Sequence, residues 1–395
     1  PVPAKADHQV AHTNITGPRN LQRGVQHAVS ITHPLVGQPL DALDTPVLLV
    51  DLDRFEANVS HLAETCRRLG IDWRPHAKGH KSPDVARKLL DAGAIGLTCA
   101  KLSEAEIFVD AGVEQILVAN QLASPLKADR LARLQNRANV IGIVDCAEAA
   151  DLLSVSAQAE GVTIPVLIDV DTGMHRTGVI PGPRVLQLAK HVAAKKGLRF
   201  EGIMGFEGHT YKDSPEEKSD RCAVAIGHLD EARRQLTEGG LDVPIVSAGG
   251  TGCYEWSAHL AGVTELQAGG GIFMDAMYRE ACNVGPELQY ALTLLTTVTG
   301  VHEDHIVTDA GFKTLWSFHH PPRLLDAEGV SFEYLSAEHG VYRRTPDGTM
   351  PCFGDRLVLL PGYHDATTYL HNEFVCIRHG VVEDVWPLAT RGALP

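Results

Sequence analysis

From about Leu40 onward, the chain alternates short aliphatic runs with longer stretches whose apolar residues recur at three- and four-residue spacing. No other feature constrains the fold as strongly, because strand, amphipathic helix, strand in succession gives a parallel sheet with crossover helices. A lead-in at 46–51 and a helical stretch at 54–70 come first. Eight strand candidates follow, at 72–78, 95–100, 115–120, 140–145, 166–170, 200–206, 245–249 and 264–268. Helical stretches at 82–92, 103–111, 147–159 and 215–239 fill intervals between them. Eight such strands close a (β/α)8 TIM-like barrel. After about Met277 the texture changes to Val- and Thr-rich runs at 291–301, 356–360 and 374–378, broken by turn signals such as Pro346-Asp347-Gly348, so that end is expected to be β-rich.

The 395 residues exceed a barrel of about 250 and leave room for a second unit. The expected division is an N-terminal extension over 1–40, the α/β barrel over 41–276 and the β-rich domain over 277–395. The extension has one acidic residue, Asp7, several prolines and histidines, and no periodicity. A residual organelle-targeting segment is the alternative reading of that stretch. A formal charge of −14 argues against a surface built to hold nucleic acid or anionic lipid, and points to a small-molecule substrate. Eight cysteines without a CxxC pair are expected to be reduced thiols rather than a disulfide framework. No apolar run reaches the roughly 20 residues needed to span a bilayer. A soluble protein of the cytoplasm or an organelle, not a secreted one, is the expectation.

Barrel enzymes carry their chemistry at the C-terminal ends of the strands. The first strand candidate ends in RPHAKGHK at 74–81, where period-2 alternation would place His76, Lys78 and His80 on one side. A lysine directed into an enclosed mouth is poorly solvated, which favours its neutral, nucleophilic amine. A basic strand end at the surface is the plainer reading of the same residues. The glycines Gly249-Gly250-Thr251-Gly252 follow the seventh strand, and Gly269-Gly270-Gly271 the eighth. Barrels bind phosphate at that station, since glycine lets backbone N–H groups approach an anion closely, although either cluster alone also reads as ordinary loop. Together with the lysine on the neighbouring strand, they favour a phosphorylated carbonyl cofactor.

The motifs DTPVLLVD (44–51), RPHAKGHK (74–81), DVDTGMHRTG (169–178), GGTG (249–252), DAGFK (309–313) and EHG (338–340) resemble the D-threonine aldolase and D-serine dehydratase family, whose fold is of the alanine racemase, or fold type III, kind. The resemblance runs from about Leu40 to the C-terminus. It implies that Lys78 holds pyridoxal 5'-phosphate as a Schiff base, that Arg176 lies near the cofactor, and that Gly249, Gly250, Thr251, Gly269 and Gly270 hold its phosphate. It also implies a homodimer and a divalent metal, bound near the C-terminus by a histidine and by an Asp or Cys two residues later. Here that stretch is PGYHDATTYLHN (361–372), and an ungapped alignment puts Asp365 on the acidic position but Tyr363 on the histidine position. Either His364 supplies the nitrogen from the adjacent position, or the metal is held differently or is absent. Neighbouring residues in a strand point to opposite faces, so a His364 and Asp365 pair requires a loop, which Pro361-Gly362 permits. A carboxylate in place of a thiolate favours Mg²⁺ or Mn²⁺ over Zn²⁺, and leans the reading toward an aldolase.

The activity so implied is metal-assisted cleavage of the Cα–Cβ bond of D-threonine or a related D-3-hydroxyamino acid, giving glycine and an aldehyde. His80 and His209 are the protein candidates for taking the β-hydroxyl proton, beside a metal-bound hydroxide. Two alternatives stand next to this one. The first is β-elimination from D-serine or 3-hydroxyaspartate to ammonia and a keto acid; the second is a non-catalytic pyridoxal-phosphate carrier.

Overall fold

The structure, a computed structural model, describes residues 33–395. Two sheets organise Leu35–Pro395. Most of the expected 1–40 extension, with its targeting reading, lies outside the described residues. Its last residues are tied down: Gly37 donates to the Val382 carbonyl, Val382 to that of Gln38, and Leu40 to that of Gly380.

The chain enters through β1 (Val47–Asp51) and α1 (Leu52–Leu69). The Asp51 carboxylate caps α1 by accepting from the Arg54 N–H at 3.0 Å, and Gly70, at φ 67°, ends it in the left-handed conformation that costs glycine least. On α1, Phe55, Val59, Leu62 and Cys66 recur at helical spacing and are all buried, so one stripe of the helix seals the core.

Eight parallel strands then form the barrel: β2 (Asp72–Trp73), β3 (Leu97–Cys99), β4 (Gln115–Val118), β5 (Asn139–Val144), β6 (Ile164–Asp169), β7 (Leu198–Met204), β8 (Ile245–Ala248) and β9 (Glu265–Leu266). They are hydrogen-bonded in sequence order from β3 to β9, and β9 pairs with β2. The circle closes where Ile95 donates to the Trp73 carbonyl, Thr98 to that of Pro75, and His76 bridges Thr98. Every expected barrel strand is present. Between them run α2 (Pro83–Asp91), α3 (Leu102–Asp110), α4 (Pro125–Leu134), α5 (Ala147–Glu160), α6 (Pro183–Ala194), α7 (Pro215–Glu238) and the short α8 (Tyr254–Ser257). All six residues of β6 are buried, as a strand covered on both faces should be.

The remaining strands are β10 (Leu292–Val301), β11 (His305–Thr308), β12 (Arg323–Leu324), β13 (Val330–Leu335), β14 (Gly340–Arg344), β15 (Arg356–Leu360), β16 (Glu373–Arg378) and β17 (Val381–Pro387). They join β1 in a nine-stranded mixed sheet. The strand β1 precedes the barrel in sequence but pairs antiparallel with β10 and parallel with β16. Its alternation explains why: Leu48 and Val50 pack into the main core, whereas Leu49 packs with Leu295, Val375 and Val382 on the other face. With both faces buried, the run at 47–50 is uniformly apolar. Phe55, Phe273, Phe374 and Trp386 meet at centroid separations of 5.1 to 5.8 Å and join the barrel side to the β sheet. Between β15 and β16 a single-turn helix, α9 (His364–Thr368), packs against the turn that follows β2.

Candidate active site

The extended backbone of β2 stops at His76, and Ala77–Gly79 turns as a 3-10 helix. The His76 Nδ1 accepts the Lys78 N–H at 3.2 Å and so caps that turn. Strand alternation therefore does not carry through to His80. Lys78 and His76 line a cavity of about 350 Å³, whereas His80 is buried behind them against the Phe108 ring. The cavity wall is otherwise built from strand ends: Asn120 and Gln121 after β4, Asp169 to Arg176 after β6, Met204 and Phe206 after β7, and the glycine loops after β8 and β9.

The Lys78 side chain keeps 39% of its exposure, and its Nζ lies 3.3 Å from Asp365 Oδ2. Tyr363 donates its hydroxyl to the same oxygen at 2.7 Å. Burial opposes a charge on Asp365, but the Lys78 ammonium, the nearby His364 ring and the Tyr363 hydrogen bond outweigh it and hold the carboxyl well below the usual range. His364 begins α9, where the chain bends enough for two sequence neighbours to converge: its Nε2 lies 3.1 Å from Asp365 Oδ1. Its Nδ1 and its backbone N–H both bond to Asp275 Oδ2, at 2.7 and 2.9 Å. Burial works against protonation of His364, yet the two carboxylates lift it to about 9. His364 Nε2 and Asp365 Oδ1 are buried without a hydrogen bond, and a Cβ on Gly79 would fall 2.8 and 2.5 Å from them. Among the described residues no group of three or more His, Cys, Asp or Glu side chains gathers to hold a metal; the donor set here is this pair.

Gly250, Thr251, Gly269 and Gly270 line the cavity, and Gly249 stands just behind it. At φ 79°, Gly249 donates its N–H to buried Glu207. Close approach requires two of these glycines: a Cβ on Gly269 would sit 2.3 Å from the His76 carbonyl oxygen, and one on Gly250 would sit 1.9 Å from the Tyr211 hydroxyl. Across the cavity Arg176 rests over the Phe206 ring at 5.5 Å rather than in an ion pair with Asp169 or Asp171. Asp169 instead accepts from Gln121 at 2.7 Å and Thr177 at 2.8 Å, and burial pushes its carboxyl up. His209 follows β7 in the turn Gly208–Thr210, with its ring against Gly173 and its Nδ1 unpartnered. Burial lowers its basicity, and that of His76 and His80 much further, to about 3.

Sequence reasoning thus brought Lys78, Arg176 and four of the five loop residues to one cavity, with His364 and Asp365 adjoining it. It missed Asp275, Glu207, Tyr211 and Tyr278. Asp275 reaches His364, 89 positions away, and Glu207 reaches Ser257, 50 positions away, and no local motif marks either.

A lysine amine at the mouth of a parallel barrel, opposite a glycine cradle with room for an anion, defines an enzyme of the barrel-plus-β-domain class that holds a phosphorylated aldehyde. Residues 50–277 match the alanine racemase N-terminal domain family, and residues 291–377 a putative serine dehydratase domain. The chain belongs to the alanine racemase-type family of fold type III pyridoxal-phosphate proteins. It is 35% identical to a D-threonine aldolase from Arthrobacter sp over 90% of this chain and 95% of that one. Identity is 36% to a 3-hydroxy-D-aspartate aldolase from Paracoccus denitrificans, over 91% and 95%. The crystal structure of D-threonine aldolase from Filomicrobium marinum superposes with a TM-score of 0.88 at 34% identity, covering 91% of this chain and 99% of that one. No described helix is long and apolar enough to cross a membrane.

Proposed function

We propose that this protein is a carbon–carbon lyase that cleaves D-threonine or related D-3-hydroxyamino acids to glycine and an aldehyde, using pyridoxal 5'-phosphate and a divalent metal. The observation that carries this reading is the convergence of Lys78 Nζ with the His364 and Asp365 pair at one edge of the cavity. An amine for the cofactor and donors for a cation stand side by side. The aldolase relatives of similar length support the same reading.

The residues present fit both groups. Lys78 would hold the cofactor aldehyde, Arg176 would flank the ring, and Gly249 to Thr251 with Gly269 and Gly270 would receive the phosphate. When bound, the cofactor supplies an electron sink for the pair released from the breaking Cα–Cβ bond. His364 Nε2 and Asp365 Oδ1 would hold the metal, and a mixed nitrogen and carboxylate pair that leaves other positions to water suits Mg²⁺ or Mn²⁺. There the metal would supply Lewis acidity toward the substrate hydroxyl. Asp275 fixes the imidazole so that Nδ1 carries the proton and Nε2 faces the site, and Tyr363 steadies the carboxylate. The β-hydroxyl proton needs an acceptor near neutrality. His209 meets that need better than His80, because it is partly exposed, whereas burial lowers His80 to about 3 and leaves it too weak a base.

Assay on D-threonine with Mg²⁺ or Mn²⁺ tests the reading, scoring glycine plus acetaldehyde against ammonia plus 2-oxobutanoate. Aldehyde that vanishes in Lys78→Ala supports the aldolase. Ammonia and keto acid instead would favour a dehydratase, the reading to which the match at 291–377 lends weight. A cofactor-loaded protein inactive on every D-amino acid would leave the carrier. A homodimer is part of the same proposal.

A further inference from the structure

The helix α7 carries a fully buried lysine that the catalytic reading does not use. Lys218 is 0% exposed, and its ammonium donates to the Gly252 carbonyl at 3.1 Å and to the Cys282 carbonyl. It also lies over the Trp256 ring at 5.0 Å. Among the described residues it makes no ion pair. A buried ammonium held by carbonyls and a ring is an expensive arrangement, because those groups offset its lost hydration without cancelling its charge. The place of that charge gives it a use. Gly252 closes the loop whose Gly250 and Thr251 line the cavity, and Cys282 ends the turn that carries Tyr278 onto the same wall. Lys218 therefore ties two cavity-facing segments to α7 and leaves a positive charge behind the glycine loop. Buried Glu207, from the turn after β7, bonds at the Gly249 end of the loop to the Gly249 N–H and the Ser257 hydroxyl and does not pair with Lys218.

We infer that Lys218 is a positioning residue for the cofactor phosphate, holding the Gly249 to Gly252 loop in shape and supplying the buried positive charge that a phosphate dianion in the cavity would balance. This rests on the reading that the cavity takes pyridoxal 5'-phosphate with its phosphate at the glycine loops. A merely structural staple would matter equally for cofactors with and without a phosphate; a charge placed for the phosphate matters for one only.

The test compares the affinity of the apoprotein for pyridoxal 5'-phosphate and for pyridoxal, read from the absorbance and fluorescence of the bound chromophore, in wild type, Lys218→Met and Lys218→Arg. Lys218→Met is expected to reduce the preference for the phosphorylated form roughly tenfold or more, with pyridoxal affinity little changed and Lys218→Arg intermediate. Equal loss of both ligands, or an unchanged preference, overturns the inference. Should Lys218→Met not fold, phosphorus NMR of the wild-type holoprotein decides. The bound phosphate is expected to stay dianionic well below the free second pKa of about 6, and a signal that titrates like the free cofactor overturns the proposal. If wild type itself gives no lysine-bound chromophore, the cofactor reading has failed; if it does and the preference is unmoved in Lys218→Met, only the role of Lys218 has.

Discussion

His364 Nε2 and Asp365 Oδ1 stand 3.1 Å apart although the two residues are adjacent in the chain, because they open a helical turn instead of continuing a strand. Asp275, 89 positions earlier, completes the arrangement by holding His364 Nδ1. A carboxylate behind a metal-facing imidazole fixes its tautomer and raises its basicity, and loss of such a partner typically costs 10–100-fold in metal affinity. Asp275→Asn is therefore expected to weaken Mn²⁺ binding by roughly tenfold or more. His364→Ala should abolish it, and titration calorimetry on the apoprotein measures both. Unchanged affinity in His364→Ala would remove this pair as the metal site.

Lys78 is the second target. Its side chain is the half-exposed member of its turn, and among the described residues its polar side-chain contact is with the Asp365 carboxylate. Lys78→Ala should leave the melting temperature of the apoprotein within a few degrees of wild type while eliminating the lysine-bound cofactor absorbance and all turnover. Loss of turnover with the absorbance intact would assign the cofactor amine elsewhere.

The two glycines that nearly touch their neighbours should respond differently to a methyl group. At Gly269 the obstacle is the His76 backbone oxygen at 2.3 Å, fixed by the strand pairing around it. At Gly250 the obstacles are side chains rather than backbone, the Tyr211 hydroxyl at 1.9 Å and the Phe206 ring at 2.9 Å, and both line the cavity. Overpacking costs about 1–3 kcal/mol where nothing yields. Gly269→Ala is expected to lower stability by that amount and to displace the Lys78 turn; Gly250→Ala should mainly weaken cofactor binding. Thermal denaturation and cofactor titration on both variants separate the effects, and equal stability losses would contradict the argument.

How far the sequence carried depended on the range of the interaction. Barrel strands are local: each is a buried apolar run bounded by turn signals, so all eight were legible, as was the lysine at the end of the first. The pairing of β1 with β10 and β16 was not, since a run buried on both faces looks alike in either sheet. Alternation misplaced His80 because a 3-10 turn begins at Ala77, and a capping contact from His76 is invisible to a period-2 rule. The His364 and Asp365 pair could be named as a possibility, but its convergence depends on α9 and on Asp275. In the sequence Lys218 is one charged residue within the helical stretch 215–239, and its burial alone distinguishes it.

The histidines beside Lys78 also set how the apoprotein responds to acid. Burial, with the nearby lysine charges, lowers His76 and His80 from an ordinary value of 6.5 to about 3 in the folded chain. Between those values the unfolded chain binds protons that the folded chain refuses, so stability rises with pH across this interval. The stability is fully present above 6.5 and is lost as pH falls toward 3. His364 has the opposite sign: lifted to about 9, it contributes below 6.5 and its contribution fades as pH rises through 9. On the acid side each of the two lowered histidines adds up to about 1.4 kcal/mol per pH unit. Replacing His80 with Gln removes one of them without removing the shared carboxylate contributions. The variant is therefore expected to show a shallower decline of unfolding free energy between pH 6 and 4, on the order of 1 kcal/mol per pH unit less steep, in urea titrations of the apoprotein. A decline as steep as that of wild type would mean that His80 titrates normally in the folded chain, and its burial beside Phe108 would then not be the constraint described above.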